Sequence, residues 1–200
     1  ISDIYKRTSL IQIIFGVLLY IGVIINRENL FVILNKPEYS ENFAIFYFLG
    51  LAILIDVTVG LNSEIIASSK YYRYDALFNI ILLGVSIIAN LILIPILGGV
   101  GASVASAISF FTFNFIKWLF LYIKYRMQPI DYKQVLVVLV GAGCLAINHF
   151  IPQIKAIYFD IIVRSSVISI FYLAALYFMK VSWDLNERVR IYKEIITKKF

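Results

Sequence analysis

The stretch Ile94-Pro95-Ile96-Leu97-Gly98-Gly99-Val100-Gly101 decides how this chain folds. Residues 76–97 on one side of it and 98–116 on the other carry no charge. Each run is about as long as the roughly 20 apolar residues a helix needs to cross a bilayer. A proline near the end of one helix and three glycines at the start of the next predict a corner with almost no loop. So short a corner leaves few backbone polar groups free, which matters because each is costly in hydrocarbon. Past the corner, Gly98, Ala102, Ala105, Ser106 and Ser109 recur at spacings of three and four, a small-residue face that lets a neighbouring helix approach closely. The expected fold class is therefore all-α and membrane-embedded.

Composition points the same way. The chain of 200 residues is 62% hydrophobic and 15% charged, with a mean hydropathy of +0.89, outside the range of soluble domains. Working outward from the corner, further apolar spans fall at about 8–25, 43–61 (extending toward 67), 135–151 and 156–179, making six with the two helices of the hairpin. Four spans and their connections fill 1–134, two more fill 135–180, and 181–200 forms a charged tail. The run Leu30 to Leu34 is too short to cross and is expected to lie in the interface. Lys70 and Arg73 with Tyr71, Tyr72 and Tyr74 suit a turn in the headgroup belt.

The formal charge of +6 would suggest nucleic acid in a soluble protein, but its distribution argues against that partner. Alternate ends of the six spans hold Lys6, Arg7, Lys70, Arg73, Lys124, Arg126, Lys133, Lys180 and the basic tail on one side. Only Arg27, Lys36 and Lys155 fall on the other. The positive-inside rule then puts both ends of the chain in the cytoplasm. In the tail, Leu185, Val189, Tyr192 and Ile196 share one face among cations, so it reads either as an amphipathic helix on the inner leaflet or as a solvated tail.

Ionisable groups at bilayer depth cost roughly 2.5–3.5 kcal/mol each, so every one needs a reason. Asp56 shares a helical face with Gly60, Ser63 and Ala67, with Glu64 beside it. Such a stripe suits a water-filled passage, where Asp56 would meet a cation, a proton or a sugar; equally, it suits a buried partner on another helix. Lys117 can snorkel to the headgroups or sit as a cation in a cavity that attracts phosphate. Arg164 follows Asp160 by four residues, which is ion-pair spacing. Asn90 and Asn114 are expected to hydrogen-bond between helices. His149 is the only histidine and Cys144 the only cysteine. With no grouping at metal-ligand spacing and no phosphate-cradling loop, no metal, cofactor or catalytic residue is expected.

The run from Asn90 through Pro95, Gly98, Gly101 and Ala102 to Ser109 resembles the hairpin of bacterial polysaccharide flippases of the multidrug/oligosaccharidyl-lipid/polysaccharide exporter superfamily. Leu30-Phe31-Val32-Ile33-Leu34 before Pro37-Glu38-Tyr39, Ile55-Asp56 with Gly60-Leu61-Asn62, Ser69-Lys70-Tyr71-Tyr72-Arg73 and Met127-Gln128-Pro129 carry the likeness over about residues 5–130. That resemblance implies a transporter of 12–14 helices in two lobes, of which this chain is the C-terminal part and the N-terminal lobe is missing. It implies the flipping of polyprenyl-diphosphate-linked oligosaccharide by alternating access in a bacterial cytoplasmic membrane, for O-antigen, lipopolysaccharide or other polysaccharide export. Membrane lipids, and a polysaccharide polymerase or glycosyltransferases, are the further partners implied. The helix-packing motif Asn90, Pro95, Gly98, Gly101 and Ala102 transfers residue by residue, and Asp56, Glu64, Lys117 and Arg164 are the pathway candidates. A cation-coupled multidrug exporter of the same superfamily and a membrane-embedded glycan-assembly enzyme are the competing readings.

Overall fold

The computed structural model describes residues 1–34, 43–182 and 187. Among them the chain is all helix: α1 (Ser2–Ile25), α2 (Arg27–Leu34), α3 (Ala44–Thr58), α4 (Asn62–Ala67), α5 (Tyr72–Tyr125), α6 (Tyr132–Asn148) and α7 (Ile157–Phe178). The tail at 183–200, with its amphipathic reading, lies outside the described residues apart from Glu187. Three of the helices, α1, α5 and α7, are long and apolar enough to cross a membrane.

Helix α5 is the hairpin. Its 54 residues keep helical hydrogen bonding to both ends but break at Gly98, whose φ of 58° and ψ of −133° only glycine adopts readily. The chain therefore reverses at one residue, and the legs 72–97 and 99–125 run side by side. Aromatic contacts close the far end, with the Phe120 ring 5.1 Å from Tyr74 and 5.5 Å from Phe78. Pro95 stays inside the first leg. The two motif glycines do different jobs. No atom lies near the place a Cβ would take on Gly98, so that residue supplies conformation and not a packing surface. A methyl on Gly101 would fall inside the Leu93 carbonyl, so that glycine permits the close approach of the two legs. Of the small-residue face, Ala105 and Ser109 are fully buried while Ala102 and Ser106 are half-buried.

The expected second span, from 43 past 61, is not one helix. It stops at Thr58 and resumes at Asn62, because Gly60 takes a φ of +63° and lies against the backbone of Ser9 in α1. The stripe from Asp56 to Ala67 consequently does not share one helical face.

Two apolar cores hold the helices together. Ile13, Ile14, Val17 and Ile21 of α1 meet Val137 and Cys144 of α6 and Ile168, Tyr172 and Leu176 of α7. The Tyr172 hydroxyl donates to the Ile14 carbonyl at 3.0 Å, which satisfies a buried polar atom inside this core. A second core joins Tyr5, Ile66, Phe78, Phe113 and Leu121, so that α4 and both legs of α5 close on the start of α1. Ser9 ties the cores: its hydroxyl donates to the Thr58 carbonyl and accepts from Gln134 Nε2 at 2.6 Å. Outside these cores the surface is strongly apolar. Ile80, Leu83, Ile87, Ile88, Leu91 and Ile92 form an outward stripe on the first leg, and Leu91 reaches 71% exposure. A contiguous stripe of that kind would be a liability in water and suits hydrocarbon.

Candidate functional site

The break at Gly60 turns α4 back toward the hairpin, and this brings polar side chains from three helices into one hydrogen-bonded line. Asn114, in the second leg of α5, donates to Asp56 Oδ1 of α3 at 3.0 Å. The same Asn114 accepts from Asn62 Nδ2 of α4 at 3.1 Å. Ser63 Oγ donates to Asn62 Oδ1 at 3.4 Å, a long contact. Lys117 Nζ then donates to Ser63 Oγ and to Asp75 Oδ1, both at 2.7 Å. The line thus runs Asp56–Asn114–Asn62–Ser63–Lys117–Asp75, with a carboxylate at each end and one cation between them.

Burial varies along this line. Lys117, Asn114 and Asn62 are 1%, 2% and 3% exposed, whereas Asp56 is exposed. Lys117 therefore does not snorkel: its ammonium lies 3.9 Å above the Phe113 ring and pairs with Asp75 across the hairpin. Cation–π attraction and a charge-assisted hydrogen bond together offset part of the cost of holding that side chain away from water. Asn114 also lines a cleft of about 420 Å³ between α3 and α5, with Ile55, Thr58, Phe111 and Trp118. Asn114 makes the interhelical bonds that its sequence position suggests. Asn90 does not, because its amide donates back to the Ser86 carbonyl one turn earlier at 2.8 Å.

Arg164 stands apart from this line, at the other end of the bundle. Its guanidinium grips Asp160 through Nε to Oδ2 at 3.1 Å and Nη2 to Oδ1 at 3.2 Å, a two-bond contact along one turn of α7. Nη1 donates to Asn148 Oδ1 of α6 at 2.8 Å. Asp160 in turn accepts from Asn29 of α2 at 2.6 Å and from the backbone N–H of Ile154 at 2.9 Å. The pair therefore clasps α2, α6 and α7 together. It forms the floor of a cleft of about 370 Å³ that Arg27, Glu28, Tyr47, His149 and Gln153 also line. His149 follows α6 at its end, with its ring against Phe150. Gln153 donates to Glu28 across the mouth of this cleft.

Of the four pathway candidates, Asp56 and Lys117 join one network, while Glu64 and Arg164 do not. Glu64 is exposed on α4, beside a separate cleft bounded by Ile1, Tyr5 and Ser68. Asp75, Asn62, Asn29 and Asn148 are site residues that the sequence did not mark. Asp75 had a usable signal: it lies 23 residues before Gly98 and Lys117 lies 19 after it, so a hairpin with equal legs sets them within about one turn of each other. Among the described residues, no group of three or more His, Cys, Asp or Glu side chains could hold a metal ion. Compared with known protein families, with characterised proteins and with solved structures, the chain finds no significant match.

Proposed function

We propose that this chain forms part of a transporter, not an enzyme, that flips polyprenyl-diphosphate-linked oligosaccharide across a bacterial cytoplasmic membrane by alternating access. The observation that carries the reading is the polar line from Asp56 to Asp75, threaded between apolar helices. Six crossings follow if each leg of α5 counts as one, α3 with α4 as another, and the 17-residue α6 as a short one beside α1 and α7. Both ends of the chain are then cytoplasmic by the distribution of Lys and Arg. An exposed carboxylate on an apolar helix is costly against lipid and inexpensive against a water-filled passage. Asp56 therefore faces the passage that this lobe builds with its missing counterpart, where it meets the hydrophilic cargo. Lys117 acts behind it, fixing Ser63 and through it the amides that orient the carboxylate. The likeness of the hairpin to polysaccharide flippases supplies the substrate class.

Asp56→Asn in the whole protein is the direct test, because it removes the charge from the path while keeping a side-chain oxygen that can accept from Asn114. Lipid-linked oligosaccharide should accumulate in the inner leaflet and surface glycan should disappear at unchanged protein level. Normal glycan in that variant would refute the assignment. Drug sensitivity without glycan loss on deleting the protein would favour the multidrug exporter instead.

A further inference from the structure

At the end of the hairpin opposite Gly98, four cations gather on a bed of tyrosines. Lys70 Nζ lies 5.1 Å from the centre of the Tyr71 ring, and Lys124 Nζ lies 5.7 Å from the same ring. Arg73 stands over Tyr72 at 5.8 Å and Arg126 over Tyr122 at 5.9 Å. All four cations are exposed, and among the described residues no carboxylate pairs with any of them. Asp75, the acidic residue nearest in sequence to Arg73, is taken by Lys117. Tyr71 is itself fixed by edge contacts to Tyr74, Phe120 and Tyr125 at 5.9, 5.6 and 6.1 Å, which makes the platform part of the folded hairpin. The fold therefore holds two ammonium groups around one ring with no carboxylate among the described residues paired to either, and a bound anion would complement their charge.

We infer that this platform is a docking site for an anionic phospholipid headgroup of the adjacent leaflet. The phosphate would bridge Lys70 and Lys124 over Tyr71, with Arg73 and Arg126 at its flanks and the exposed Tyr72 and Tyr122 rings at headgroup depth. A lipid is favoured over a free anion because the apolar legs of α5 rise directly from the platform and offer the acyl chains a surface. The site rests on the membrane placement proposed above and not on transport.

Native mass spectrometry of the full protein, released from detergent with phosphatidylglycerol or with phosphatidylcholine of matched chains, tests it. Retention of phosphatidylglycerol should exceed that of phosphatidylcholine about 25-fold. Each charge near a lipid surface is worth about fivefold, so Lys70→Gln with Lys124→Gln should erase that preference. Lys155→Gln, at the opposite end, should leave it intact. Equal retention of the two lipids, an unaltered preference in the double variant, or full displacement by excess inorganic phosphate would each overturn the site. None of these outcomes bears on glycan export, which the Asp56 variant measures separately.

Discussion

Lys117–Asp75 and Arg164–Asp160 are both ion pairs inside a bundle of apolar helices, yet they are built on opposite plans. The Arg164 pair is local, four residues along one helix, with side-chain exposures of 5% and 3%. It is surrounded by Asn29, Asn148 and the Ile154 amide, so both charges are hydrogen-bonded in full view of the surrounding elements. The Lys117 pair is long-range, joining two legs of a hairpin, and its exposures are 1% and 23%. One partner there is sealed and the other keeps a path to water. Breaking a pair is expensive when the orphaned charge stays buried and mild when it can rehydrate. Equal chemistry therefore predicts unequal consequences.

Arg164→Met should have the largest effect. It strands the Asp160 carboxylate, which is 2% exposed, at a cost of about 3–5 kcal/mol. Unfolding of the detergent-solubilised protein by denaturant titration would measure it, and adding Asp160→Leu to the same chain should restore most of the loss. Lys117→Met comes second at about 1–2 kcal/mol, because the Asp75 carboxylate left behind can turn toward solvent. Were it to cost as much as Arg164→Met, partial exposure would not be what separates the two pairs. The smallest change is Asn29→Ala, which removes one of several bonds to Asp160 and should cost about 0.5–1.5 kcal/mol. A double-mutant cycle of Asn29 with Arg164 should show coupling, whereas Asn29 with Lys117 should be additive.

The same contrast explains what could be read from the sequence. Arg164 and Asp160 were legible because helical spacing alone puts them side by side. The hairpin itself was legible too, since a proline followed by glycines between two uncharged runs admits few alternatives. Lys117 stayed open between snorkelling and a cavity because its partner lies 42 residues away and becomes visible only once the legs are laid in register. Asp56 was placed on a stripe with Ser63 that assumed an unbroken helix, and Gly60 breaks it. The two residues still meet in one network, but through Asn62 of α4 and Asn114 of α5, a route that no periodicity in a single helix encodes. Gly98 and Gly101 stood in the sequence as two of the three glycines at the corner; only backbone angles and the Leu93 carbonyl separate a turning residue from a contact residue.

That separation has a mechanical consequence. With Gly98 the one residue of α5 outside helical geometry and Gly101 wedged on the Leu93 carbonyl, the two legs behave as stiff arms joined at a single pivot. A small opening at the joint grows along the arms and is already large where Lys117 reaches across to Asp75, near their far ends. The salt bridge thus acts as a latch far out on a long lever, where a modest force has ample purchase.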